Sequence, residues 1–166
     1  MQIAFTGPRK LTKEQEGLIY KDFADFISNH AAEWHVGDAP GLDDFVRRTA
    51  AYYNKTLTVY EVAGNQRWHF AERSKRMIDA LAKPTEGIAG QPDVWLYAFP
   101  NKLCPEGCKP CKNPNGGGSG TWLTIAYARY RGLQIYLFPQ FQTRFDDDSW
   151  LPDWMREPAS EQLTLF

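Results

Sequence analysis

Short apolar runs alternate with segments of three- and four-residue apolar spacing along most of the chain. That alternation constrains the fold more than any single motif does. The strand-type runs are Gln2 to Thr6, Glu33 to Val36, Thr56 to Val62, Val94 to Phe99 and Leu133 to Phe138, each the length of a strand in a sheet buried on both faces. The first helical segment runs from about Lys13 to His30, with Ile19, Phe23, Phe26 and Ile27 on one face and Thr12 with Gln15 placed as a capping box. A second follows Gly41 and carries Phe45, Val46, Thr49, Ala50 and Tyr53, a third covers Gln66 to Leu81, and a fourth follows Gly120 with Leu123, Ala126, Tyr127 and Tyr130 on one stripe. Such a rhythm predicts an α/β, Rossmann-like, doubly wound and mostly parallel five-stranded sheet with helices on both faces.

The 166 residues suit one domain with a real hydrophobic core. The compact part is expected over 1–139, interrupted by an irregular insertion at about 100–118 that holds all three cysteines. A C-terminal extension over 140–166 follows. With 19 Lys and Arg against 20 Asp and Glu, the overall field does not draw the chain onto DNA or an anionic membrane, so anion recognition must be local. No apolar stretch approaches the ~20 residues that span a bilayer. The start, Met1 to Gly7, reads as a strand entering a turn and not as a signal peptide, so the expected location is the cytoplasm.

In a doubly wound sheet, ligands sit beyond the carboxyl ends of the strands, where loops lead into helix N-termini. Three loops there are rich in glycine: Thr6-Gly7-Pro8-Arg9, Gly37-Asp38-Ala39-Pro40-Gly41-Leu42-Asp43-Asp44 and Gly116-Gly117-Gly118-Ser119-Gly120-Thr121. Glycine lets several N–H groups approach one anion, and the following helix dipole adds to the attraction. Arg9 and Thr121 supply further donors. The expected phosphate-binding set is therefore Gly7, Arg9, Gly37, Asp38, Gly41, Asp43, Gly117, Gly118, Ser119, Gly120 and Thr121, against the alternative of ordinary tight turns. No G-x-G-x-x-G follows the first strand and no G-K-[ST] closes a glycine loop, so neither an NAD nor an ATP fingerprint is present.

In their order these motifs resemble the SLOG superfamily, the Rossmann-like group of DprA-type and LOG proteins, and especially its small YspA-like bacterial and phage members. The resemblance is carried by Thr6-Gly7-Pro8-Arg9, Gly37-Asp38-Ala39-Pro40-Gly41-Leu42-Asp43, Glu72-Arg73-Ser74-Lys75-Arg76-Met77, Pro92-Asp93-Val94, Gly118-Ser119-Gly120-Thr121 and Gly132-Leu133-Gln134-Ile135. It covers Met1 to about Pro139 and implies a nucleotide or nucleotide-derived ligand. LOG-type members hydrolyse the N-glycosidic bond of nucleoside monophosphates with a P-G-G-x-G-T-x-x-E motif and an arginine from the preceding helix. Here Thr124 stands where the glutamate belongs. Arg73 matches the arginine, with Asp43, Asp44 or Glu72 as substitute carboxylates for a LOG-type phosphoribohydrolase, but an arginine without its acid points to binding before hydrolysis. For Asp43 and Asp44, helix capping is the competing reading. A DprA-like single-stranded nucleic-acid binder is a third expectation, disfavoured by the net charge of −1.

Two features lie outside the loops. Cys104, Cys108 and Cys111 have C-x3-C-x2-C spacing, and three thiolates so spaced can fill three positions of a tetrahedral zinc site. His69, an aspartate or a thiolate from a second subunit of a homodimer would be the fourth ligand. The same spacing holds an iron–sulfur cluster in radical-SAM enzymes, which are built on a much larger barrel. The chain ends in Gln162-Leu163-Thr164-Leu165-Phe166, which resembles the Q-L-[SD]-L-F peptide that binds the bacterial DNA sliding clamp. In such a peptide Gln162 would hydrogen-bond at one pocket while Leu163, Leu165 and Phe166 fill an apolar cleft. A tail packed on its own domain is the alternative.

Overall fold

The computed structural model describes residues 1–28, 32–82, 93–141 and 148–156. Its elements follow in the order β1 (Gln2–Thr6), α1 (Lys13–Ile27), β2 (Glu33–Gly37), α2 (Leu42–Tyr52), β3 (Leu57–Tyr60), α3 (Arg67–Ala82), β4 (Val94–Ala98), α4 (Gly120–Tyr130) and β5 (Gln134–Leu137). The five strands form one sheet in the order β3-β2-β1-β4-β5, and every pairing is parallel. The expected Rossmann-like α/β architecture is therefore the observed one.

Alternation along the strands decides which helix covers which face. Ile3, Phe5, Trp34, Val36, Tyr97 and Phe99 point toward α1 and α2, where Ile19, Phe23, Phe45 and Val46 meet them. Ala4, Val94, Leu96 and Ala98 point the other way, against Met77, Ile78 and Leu81 of α3 and Trp122, Ile125 and Ala126 of α4. Each large side chain removed from water in this way contributes about 1.5–3 kcal/mol. Small residues on β1 and β4 face α3 and α4, while Phe5, Phe23, Trp34, Phe45 and Phe99 fill the opposite layer ring against ring.

The N-terminus of α1 carries the expected capping box: the Thr12 N–H donates to Gln15 Oε1 at 2.9 Å and the Gln15 N–H to Thr12 Oγ1 at 3.1 Å. β3 is shorter than the apolar run suggests, and β3 and β5 are only half covered, because they are the edges of the sheet. A turn of helix over 153–156 brings Trp150, Trp154 and Met155 of the C-terminal extension onto the α3–α4 layer. Among the described residues no helix is long and apolar enough to cross a membrane.

Candidate functional site

The strand order reverses its direction of winding between β1 and β4, so the crevice above the carboxyl ends of these two strands is the switch point of the sheet. The loop after β1 and the loop after β2 interlock there. The Leu42 N–H donates to the Pro8 carbonyl at 3.0 Å. Gly41 takes a φ of +77°, and a Cβ on it would stand 2.3 Å from the Pro8 oxygen, so only glycine fits this crossing. Arg9 is exposed and lies over the Phe70 ring at 4.8 Å, which ties the first loop to the first turn of α3.

Beneath the second loop is a charged cluster. Arg73, on the buried side of α3, donates from Nη1 to Asp38 Oδ1 at 2.6 Å, and its Nη1 lies 4.0 Å from Asp43 Oδ2. Asp43 accepts from the Ala39 N–H at 3.2 Å and Asp38 from the Val62 N–H at 3.1 Å, so the two carboxylates hold the backbone that follows β2 and β3. Arg47 closes the loop from the other direction by donating to the carbonyls of Gly37 at 2.8 Å and Ala39 at 3.2 Å. Gly37 is needed for this approach, because a Cβ there would fall 2.6 Å from Asp43 Oδ2 and 2.8 Å from Arg73 Cζ.

The two acids titrate in opposite directions. Asp43 is 7% exposed, and loss of hydration raises its pKa to about 6 against the opposing pull of Arg73, the Ala39 amide and Arg47. Burial also acts on Asp38, but the Val62 amide and the hydrogen bond and charge of Arg73 outweigh it and hold Asp38 below the usual carboxylate range.

The third loop is built differently. Ser119 caps α4, its Oγ accepting from the Trp122 N–H at 3.1 Å. Gly117 and Gly118 have φ of +56° and +84°. Among the described residues the amides of Gly118, Gly120 and Thr121 have no hydrogen-bond partner. Gly118 opens toward Arg67 at the start of α3, whose Nη2 would lie 4.0 Å from a Cβ placed there.

The chain matches no family model, no curated protein and no solved structure. What the site can do therefore follows from its own residues.

The structure brings Gly7, Arg9, Gly37, Asp38, Gly41 and Asp43 together around one pair of loops and places Gly117, Gly118, Ser119, Gly120 and Thr121 at the N-terminus of α4. Gly7 packs so closely on Leu42 that a Cβ would fall 2.3 Å from its Cδ2. Glu72 is not with them: it is exposed and pairs with Arg76 at 3.0 Å. Asp44 likewise serves the helix surface, bonding Arg48 at 2.9 Å. Thr124 is buried and donates to the Gly120 carbonyl at 2.8 Å, so the position at which a LOG-type motif would need its glutamate holds a hydroxyl turned into its own helix. Trp122 is core, with Nε1 donating to the Lys102 carbonyl at 2.8 Å. Sequence reasoning missed Arg47, and it missed His35, whose Nδ1 lies 3.0 Å from the Tyr60 hydroxyl while burial lowers its pKa against the opposing charge of Glu33. Alternation alone marks His35 as facing α3, but nothing local announces its partner.

His69 is committed elsewhere, since its Nδ1 accepts from the Gln66 N–H at 3.0 Å at the start of α3. All three cysteines are free thiols. Burial and the neighbouring Cys108 thiol push Cys104 up to about 12, so it is no ready nucleophile. Among the described residues no group of three His, Cys, Asp or Glu side chains is already gathered as a metal-ligand set. Gln162, Leu163, Leu165 and Phe166 lie outside the described residues.

Proposed function

We propose that the chain is a SLOG-type protein that binds a nucleotide or nucleotide-derived ligand at the β1–β4 switch point. The observation that carries this reading is the meeting, at one edge of the sheet, of an interlocked pair of loops and a capped helix start whose amides are unspent. A phosphate would take the Gly118, Gly120 and Thr121 amides at the positive end of α4, with Arg9 and Arg67 supplying charge from the facing loop and from α3. The Arg73, Asp38 and Asp43 cluster supports this work indirectly. Its charges are spent on one another and on the loop backbone, so it fixes the shape of Gly37 to Gly41 and leaves recognition to the groups above it.

Asp43 favours a second reading, a nucleoside-monophosphate phosphoribohydrolase of LOG type. A carboxyl group with a pKa of about 6 beside an arginine exchanges a proton near neutral pH, as a general acid or base must. Against it, Asp43 is almost fully buried and already accepts the Ala39 amide. The binding reading is therefore preferred, with the DprA-like single-strand binder behind both. The tail would link the domain to the replication machinery as a sliding-clamp ligand, a proposal that rests on the Gln162 to Phe166 sequence alone.

Incubation with a panel of nucleoside monophosphates separates the readings. A thermal shift without turnover supports the binder, released free base supports the hydrolase, and salt-dependent capture of single-stranded DNA with no nucleotide shift supports the third.

A further inference from the structure

α3 begins at the carboxyl edge of the sheet, and its first turn, Arg67-Trp68-His69-Phe70, carries three rings. Trp34 and Trp122 are wholly buried, but Trp68 is 65% exposed. A large apolar ring left in water on an ordered helix calls for a partner. The indole is also held in place, because it lies against the His69 ring with centroids 3.7 Å apart. His69 is fixed in its turn. Its Nδ1 accepts from the Gln66 N–H at 3.0 Å, and its ring seats on Gly64, where a Cβ would fall 2.5 Å from Cε1. The absent side chain at Gly64 makes room for the imidazole, and the imidazole supports one face of the indole.

The neighbours of Trp68 tie this surface to the crevice. Arg67 reaches toward Gly118 of the β4–α4 loop, and Phe70 lies under Arg9 of the β1 loop at 4.8 Å. Lys75 falls two turns on from Trp68 on the same stripe of α3, and its Nζ donates to Asn113 Oδ1 of the β4–α4 loop at 2.6 Å. The flank of α3 that carries Trp68 is therefore the one turned toward that loop. We propose that Trp68, seated on His69, is the surface on which the base of the nucleotide stacks, and that it favours purines over pyrimidines. This rests on the nucleotide reading of the crevice and adds the ligand's second anchor. A phosphate on the Gly118, Gly120 and Thr121 amides leaves the base to be held elsewhere, and Arg67, beside Gly118 in space and next to Trp68 in the chain, joins the two. Every base offers a flat π face to an indole, and the fused rings of a purine cover more of it than a single pyrimidine ring does. Preorganisation of the indole on His69 spares the ordering cost that a free side chain would bear on binding.

Isothermal titration of the full chain with adenosine monophosphate, cytidine monophosphate and ribose 5-phosphate tests this, because the three share a phosphate and a ribose and differ in the base. The expected order of affinity is adenosine monophosphate, then cytidine monophosphate, then ribose 5-phosphate. Trp68→Ala should weaken adenosine monophosphate by ~10-fold or more and leave ribose 5-phosphate unchanged. Trp68→Phe keeps a ring and should recover part of the loss. Gly64→Ala, which displaces the His69 ring, should weaken adenosine monophosphate by less than Trp68→Ala does and again spare ribose 5-phosphate. Unchanged binding of adenosine monophosphate by Trp68→Ala, an equal loss for ribose 5-phosphate, or equal affinity for the two nucleotides would overturn the stacking proposal while the phosphate site stands. Binding of none of the three compounds would overturn the nucleotide reading and the stacking proposal together.

Discussion

The loops after β2 and after β4 both open a helix at the carboxyl edge of the same sheet, yet they are held by unlike forces. The β2 loop is closed by charge: Arg73 and Arg47 from two helices grip Asp38, the Gly37 and Ala39 carbonyls and, at longer range, Asp43. The β4 loop is closed by a serine cap, a buried tryptophan and a turn built around Cys108, and among the described residues its Gly118, Gly120 and Thr121 amides have no partner. A loop whose polar groups are satisfied internally defines a wall. One with donors left over can hold an anion, and the proposed site pairs the two at a switch point from parts that are separately ordinary.

The largest expected effect comes from breaking the wall. Arg73→Ala leaves Asp38 and Asp43 without their buried cation, and denaturant titration should show a loss of about 3 kcal/mol. A loss below ~1 kcal/mol would mean the cluster is solvated and not structural.

Asp43→Asn sharpens the comparison in the opposite direction. The folded-state pKa of about 6 lies above the ordinary 3.8, so the folded state binds the extra proton. The stabilisation this gives is complete below the ordinary value and is lost as pH rises through about 6. The amide variant should be more stable than the parent at neutral pH by on the order of 2 kcal/mol, and should lack that decline across pH 4 to 6. Asp38 works with the reverse sign, contributing stability above its unfolded pKa that is lost on acidification. A parent whose stability rises between pH 4 and 6 by as much as Asp38 alone allows would contradict the placement of Asp43.

Smaller still is the cost at the other loop. Ser119→Ala removes one helix cap and should destabilise by about 1 kcal/mol, measured by thermal unfolding, while weakening nucleotide binding more than Asp43→Asn does. Deleting Gln162 to Phe166 should leave stability within ~0.5 kcal/mol and abolish binding to a bacterial sliding clamp in a pull-down or anisotropy assay.

These contrasts also explain what could be read from the sequence. Among the described residues periodicity located the five strands and four helices because the sheet is buried on both faces at its centre, where Ile3 to Phe5 of β1 and Val94 to Ala98 of β4 read as continuous apolar runs. It was least accurate at β3 and β5, where half-exposure at the sheet edge blurs the ends of the strands. The Thr12 and Gln15 box was legible because both partners lie within one turn. The Arg73–Asp38 pair was not, since 35 residues separate its members and only the crossing from β3 to β4 brings α3 over the β2 loop. For the same reason Asp43 reads equally well as a capping residue, and only its burial against Gly37 distinguishes it from Asp44 one position on. The inward seat of the Trp122 indole was equally illegible, since it is fixed by the Lys102 carbonyl 20 residues away.

The central proposal is that the crevice recognises a phosphate-bearing nucleotide through the unspent amides of the β4 loop, with charge supplied by Arg9. Isothermal titration with a panel of nucleoside monophosphates and the matching unphosphorylated nucleosides tests it most directly. Saturable binding of at least one monophosphate, weakened tenfold or more (~1.4 kcal/mol) by loss of its phosphate and by Arg9→Ala, is the predicted result. Binding of nucleoside and nucleotide with equal affinity, or of neither, would contradict it.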